Sequence, residues 1–338
     1  MITLVHDTQR AHDPQFFLST GALRPCPEKP SRIDALLSGV HKLGLPVHTP
    51  QDHGLDAIRA IHPERYLTFL QGIHARWSLI DGASAEVIPN IHPASRTDGY
   101  PRSAVGQAGF HMTDTSCPIG PHTWDAAYWS AQCAIDGAER LIGGAKAIYA
   151  LCRPPGHHCF TDLAGGFCYL SNTAIAAHLL TMQGRKVAIL DVDLHHGNGT
   201  QGVFYDRADV LTISLHAHPE RFYPFFWGYP TETGKDTGEG ANLNLALERG
   251  TGDQGFQQAL GLALDRITLW GADTLVLALG LDAFIGDPFA GLAVTTPGFA
   301  QIGRQIAALN LPTLIVQEGG YFCPELGDNL AAVLKAFL

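Results

Sequence analysis

Short continuous apolar runs recur along the chain: AIYAL at 147–151, VAIL at 187–190, TLVLAL at 274–279 and TLIV at 313–316. Runs that are apolar at every position, rather than at alternate ones, predict strands buried on both faces. The β-rich segments fall at residues 2–6, 147–151, 187–193, 210–216, 274–279 and 313–317. Between them, residues 124–141, 172–182, 254–270 and 297–308 carry apolar side chains at helical spacing. Alternation of this kind predicts βαβ crossovers, hence a mostly parallel sheet with helices on both faces. Residues 90–122 break the pattern. They are rich in Pro, Gly, Ser and Thr without a helical period, which predicts a long functional loop.

In such a sheet, ligands bind where the loops converge at the carboxyl ends of the strands. The residues that follow each apolar run therefore carry the chemistry. AIYAL leads to Cys152-Arg153-Pro154-Pro155-Gly156-His157-His158, and VAIL leads to Asp191-Val192-Asp193-Leu194-His195-His196-Gly197-Asn198. VLTISL leads to His216, TLVLAL to Gly280-Leu281-Asp282, and TLIVQ to Glu318-Gly319-Gly320-Tyr321. Asp193 and His195, two apart on an extended segment, leave it on the same side, and Asp282 can complete the set from a neighbouring strand. Two carboxylates and one imidazole suit a catalytic zinc with an open position. His157 and His158 can supply a general base for the attacking water and a general acid for the leaving group. Tyr321 can donate a hydrogen bond to a developing oxyanion.

Each feature alone has a plainer reading. Asp282 alone reads as a turn or cap, the His pair as surface or satisfied core, and Gly197–Asn198–Gly199 as a turn. His216 and the remaining histidines have no special spacing and read as structural. The coincidence of all these features at the ends of one sheet favours a metal hydrolase.

Composition adds exclusions. The formal net charge of −10 disfavours nucleic acid and anionic membranes as partners. Seven cysteines, an odd number without a CxxC pair, read as free thiols in a reducing compartment. MITLVHDTQRAH lacks a basic region leading into a long apolar segment, and no run approaches about 18 apolar residues. A cytoplasmic protein is expected. With no internal repeat or linker, residues 1–338 are expected to form one domain.

The motifs RPPGHH, GFCYLSN, LDVDLHHGNGTQ, SLH, GLDAF with GDP, and EGGY resemble the histone deacetylase superfamily. Within it, CRPPGHH, HHGNGTQ and the GY-x-x-ETGK segment at 228–235 are most similar to bacterial acetylpolyamine amidohydrolases. The resemblance implies an arginase-deacetylase α/β fold with an eight-stranded, mostly parallel sheet. It implies one zinc held by Asp193, His195 and Asp282, with Asp191 supporting His157 and Asn198 orienting His158. An Asp partner favours a charged imidazolium, and an amide partner leaves a neutral ring better able to take a proton. His158 is thus the expected base and then acid, His157 an electrostatic helper and Tyr321 the carbonyl-polarising phenol. Phe167 and Tyr223 match the aromatic walls of a narrow tunnel, next to Gly166, and Asp191, Asp193, His195, Ser214 and Leu215 match a potassium site.

The 90–122 loop matches an insertion that builds a homodimer and narrows the site in acetylpolyamine members. Here the chain departs from the pattern. Val105 and Ser116 stand where loop carboxylates are expected, Asp114 is near enough to substitute, and Phe289 replaces a glutamate gatekeeper. The expected substrate is a small N-acetylated amine, an acetylpolyamine or an acetylated diamine such as acetylputrescine or acetylcadaverine. These departures weigh against a long polyamine and towards short diamines or a broader specificity. Free or protein acetyl-lysine is the alternative. A silent binder of acetylated ligands and a binuclear arginase-like hydrolase are the other readings; the former lacks the loss of a ligand, base or tyrosine that would mark it, the latter a second carboxylate cluster. A two-Asp, one-His set also accepts iron or cobalt.

Overall fold

The computed structural model describes residues 1–338. Elements are numbered in chain order. The strands are β1 (Ile2–Leu4), β2 (Phe16–Ser19), β3 (Ala22–Pro25), β4 (Val47–His48), β5 (Ala147–Ala150), β6 (Val187–Asp191), β7 (Val210–Ala217), β8 (Asn242–Leu247), β9 (Thr274–Leu279) and β10 (Thr313–Gln317). The helices are α1 (Ser31–Lys42), α2 (Asp56–Arg59), α3 (Glu64–Trp77), α4 (Ala104–His111), α5 (Thr123–Ile142), α6 (Asn172–Met182), α7 (Asn198–Phe204), α8 (Asp253–Trp270), α9 (Thr296–Ala307) and α10 (Leu326–Leu334). No helix is long and apolar enough to cross a membrane.

Eight strands form one sheet in the order β4-β1-β5-β10-β9-β6-β7-β8, and every pair in it is parallel. Side chains alternate between its faces. Val187 and Ile189 of β6 enter the core under α3, α5 and α6, whereas Ala188 and Leu190 enter the core under α1, α8, α9 and α10. Every residue of β5, β6, β9 and β10 is buried, which is why these strands read as unbroken apolar runs. The four are adjacent as β5-β10-β9-β6, so the loops after them meet at one edge of the domain.

The structure contains elements beyond the sequence pattern, among them α1, α3 and α10. The 90–122 segment is not wholly irregular: it contains α4, capped by Ser103, whose Oγ accepts the Gly106 N–H at 3.1 Å. Gly106 and Gly109 had hidden its period. Two sheet strands, β4 and β8, lie outside the expected runs. In β8 the asparagines Asn242 and Asn244 are the buried positions, while Leu243, Leu245 and Leu247 are only half-buried. The hairpin of β2 and β3 is a separate antiparallel pair.

Candidate active site

The loops after β6 and β9 bring Asp193, His195 and Asp282 together, with their donor atoms all within 4.8 Å of one another. His195 Nδ1 lies 3.2 Å from Asp193 Oδ1 and 3.1 Å from Asp282 Oδ2. Backbone amides fix both carboxylates. Asp193 accepts from His195 N at 2.8 Å and Gly319 N at 2.8 Å, and Asp282 accepts from Leu194 N at 2.9 Å. A Cβ at Gly319 would stand 2.4 Å from Asp282 Oδ2 and 2.5 Å from Asp193 Oδ2, so only glycine lets the β10 loop pass here. Two wholly buried carboxylates converging on one point, with no Lys or Arg nitrogen bonded to either, form an anionic cradle. Its two carboxylate oxygens and one imidazole nitrogen fit a zinc ion.

The loop after β5 sets two histidines beside this cradle, ring centroids 4.0 Å apart. His157 Nδ1 pairs with Asp191 Oδ2 at 2.9 Å. Burial alone would keep this imidazole neutral, but the charges of Asp193 and Asp191 overcome it and push its pKa up to about 10. His158 meets Asn198 Oδ1 at 2.6 Å. Because the partner is a carbonyl oxygen, Nδ1–H donates and Nε2 keeps a free lone pair. Burial, then the charges of His157 and His195, hold the His158 pKa well below the usual imidazole value. One histidine carries charge and its neighbour does not.

Tyr321 is buried, its ring edge-on to Phe289 at 4.8 Å and to Phe167 at 5.9 Å between centroids. Burial, reinforced by the Asp282 charge, raises the phenol pKa well above its usual value, so the group remains a hydrogen-bond donor. His158, His195, Asn198 and Tyr321 line one cavity of about 450 Å³ together with Gly166, Phe167, Tyr223, Phe289, Asp114 and Ser116. At Gly166, with φ +50°, a Cβ would stand 2.4 Å from the His158 ring.

Two expectations about the loop change. Val105 does not line this cavity; it packs on the core from α4. Asp114 does line it, but its carboxylate is engaged. Oδ2 accepts the Tyr223 hydroxyl at 2.6 Å and Gly166 N at 3.2 Å, and Oδ1 accepts Ser116 N at 2.7 Å. Ser116 is among the residues that line the cavity.

Asp191 and Ser214 are register partners on β6 and β7 and border a second cavity of about 10 Å³, with Leu215 following on β7. Ser214 Oγ is 2.9 Å from His216 Nδ1, and His216 Nε2 donates to Gly228 O at 2.8 Å, a structural role. His196, without an assignment from sequence, sits in a buried amide cluster, 3.0 Å from Gln201 Oε1 and 3.1 Å from Asn244 Oδ1.

Sequence reasoning missed several residues that shape the site. Asp287 accepts from Tyr321 N at 2.9 Å and Phe289 N at 2.9 Å, holding donor and wall together. Glu318 accepts from Gly156 N at 2.6 Å and His157 N at 3.0 Å. Both are buried carboxyls within the quoted GDP and EGGY motifs, and that placement is the signal that could have assigned them a role. Phe17, Leu18, Ser19 and Thr20 of the β2–β3 hairpin, Thr113 and Thr115, and Phe160 with residues 224–227 complete the lining, and no local spacing announces them.

The fold and this site define a class, the amide-bond hydrolases of the arginase-deacetylase type. The histone deacetylase domain profile matches residues 26–337, and the chain belongs to that family. The acetylpolyamine amidohydrolase of Burkholderia pseudomallei is 43% identical over 338 residues, covering 100% of this chain and 98% of that protein. The acetylpolyamine amidohydrolase of Mycoplana ramosa is 43% identical over 318 residues, 93% of each. A crystal structure of the Burkholderia pseudomallei acetylpolyamine aminohydrolase superposes with a TM-score of 0.96 over 100% of this chain and 98% of that one.

Proposed function

We propose that the protein removes acetyl groups from small N-acetylated amines, with acetylated diamines such as acetylputrescine and acetylcadaverine as its preferred class and zinc as its metal. One observation carries this reading: His158, held at Nδ1 by Asn198, and the Tyr321 phenol line one cavity with His195, the imidazole of a cradle completed by the buried Asp193 and Asp282, while His157, paired with Asp191, packs against His158. Zinc, held by Asp193, His195 and Asp282, would supply Lewis-acid activation of water and carbonyl. His158 Nε2 takes the proton from the attacking water and returns it to the departing amine nitrogen. Asn198 keeps that ring in the tautomer the transfer requires. His157, charged against Asp191, contributes fixed positive charge beside the reacting carbonyl, and the Tyr321 phenol donates to its oxygen as negative charge builds there.

Phe167, Tyr223 and Phe289 suit the methylenes of an alkyl arm, and Gly166 leaves room for it beside His158. Asp114 is the one acidic residue among those lining the cavity. Its engaged oxygens favour a single ammonium at short reach over the extended charge of a long polyamine. We further assign a potassium ion to Asp191, Asp193, His195, Ser214 and Leu215, a cytoplasmic location, and a homodimer through residues 90–122, where Ile91 is exposed. The test is a kcat/KM panel on zinc-reconstituted protein, comparing acetylputrescine, acetylcadaverine, acetylspermidine and acetyl-lysine peptides. Short acetyldiamines are expected to lead. Peptides leading would favour a lysine deacetylase, and no acetate from any of them would sink the reading.

A further inference from the structure

Two arginines near the site are 1% exposed, and neither lines the substrate cavity. Arg32, on α1, holds the loop that carries the phenol: Nε donates to Gly320 O at 2.6 Å and one terminal nitrogen donates to Glu318 O at 2.7 Å. Its guanidinium lies 5.2 Å from the centre of the Tyr321 ring. Arg153 opens the Arg-Pro-Pro-Gly segment that leads to His157 and His158, and its terminal nitrogens donate to Gln9 O at 2.6 Å and His12 O at 2.5 Å. A single oxygen joins the two. Glu28 Oε1 lies 2.8 Å from an Arg32 terminal nitrogen and 2.8 Å from Arg153 Nε, and Glu28 is wholly buried.

Buried ion pairs of this sort are weak devices for stability, because desolvation offsets most of their attraction. What they do well is fix geometry, since planar guanidiniums accept few orientations. We propose that Glu28 is a positioning residue for catalysis, setting through Arg32 and Arg153 the separation between the Tyr321 phenol and the His157–His158 pair. The two groups stand on loops from different strands, and a reaction that needs both at one carbonyl loses rate steeply when either shifts. Glu28 is the carboxylate that pairs with both arginines, whereas Glu318 joins the same two loops directly, its carboxylate accepting from Gly156 N and His157 N. Its other oxygen is 3.7 Å from His12 Nε2 and touches neither loop.

The proposal rests on Tyr321 acting as the oxyanion donor, so the test is a double-mutant cycle on the full-length, zinc-loaded protein with acetylputrescine. Tyr321→Phe alone checks the functional reading: a loss of kcat supports it, and no loss overturns it independently of Glu28. Glu28→Gln, which keeps the volume and removes the charge, is expected to lower kcat about 30-fold with KM changed less than about threefold and one zinc per chain retained. In the Tyr321→Phe background the same change is expected to cost less than about threefold, because the group it positions is already gone. An unchanged kcat, or an equal loss in both backgrounds, overturns the proposal. If the glutamine variant does not fold, Glu28→Asp, which keeps the charge and withdraws it by one methylene, is run through the same cycle and judged by the same two outcomes.

Discussion

The floor of the cavity and its rim are built by different rules. At the floor and packed directly behind it, Asp191, Asp193, His157, His158 and Asp282 are buried at the ends of the parallel strands, and each is oriented by a named partner at 3.2 Å or less. On the rim, the β2–β3 hairpin leaves Leu23 exposed, and the segment after Tyr223 leaves Phe225 and Phe226 exposed, the latter at 85%. A sheet can hold several functional groups in fixed register, whereas loops can change without disturbing it. The floor therefore sets the reaction, and the rim sets what reaches it.

Four substitutions test that division, from the largest effect to the smallest. His158→Ala is expected to lower kcat by roughly 10²–10⁴ while metal content stays at one per chain; full turnover would remove the base from the mechanism. Tyr321→Phe should lose about 2 kcal/mol or more of transition-state stabilisation, read as kcat/KM, and a loss of a few tenths would mean that the phenol does not reach the oxyanion.

Asn198→Asp acts on the same histidine through charge. His158 works neutral, with its pKa held low by burial and by the neighbouring imidazolium charges. A carboxylate partner stabilises the protonated ring and raises that pKa, so the acid limb of the pH–kcat/KM profile should move to higher pH. An unmoved limb would show that another group titrates there. Phe226→Ala, on the rim, should leave kcat unchanged and stability within about 0.5 kcal/mol, with at most a few-fold rise in KM. A large fall in kcat there would erase the distinction between floor and rim.

The same division decides what could be read from sequence. The strands β5, β6, β9 and β10 were legible because they are buried on both faces, the helices α5, α8 and α9 because apolar positions recur along them at helical spacing, and α6 because it is an apolar stretch of helical length, buried almost all round. Strand β8 was not, since it buries asparagines against His196 and Gln201 and turns its leucines half outward. The strand-end residues of the site were legible as a set, and the His157–Asp191 and His158–Asn198 pairings implied by the family resemblance are present at 2.9 and 2.6 Å. The rim was not legible. Asp114 meets Tyr223 across 109 positions and Phe17 meets Phe167 across a comparable gap, and no local period encodes such contacts. Glu28 and Arg32 sit at helical spacing that looks like an ordinary surface ion pair until their burial is known.

Acetate release from acetylputrescine by the full-length protein carrying one zinc per chain tests the central claim most directly. Sustained release over many turnovers, abolished in His158→Ala at equal zinc content, is the expected result. No release from the zinc-loaded protein, or release that survives the loss of His158, would contradict it.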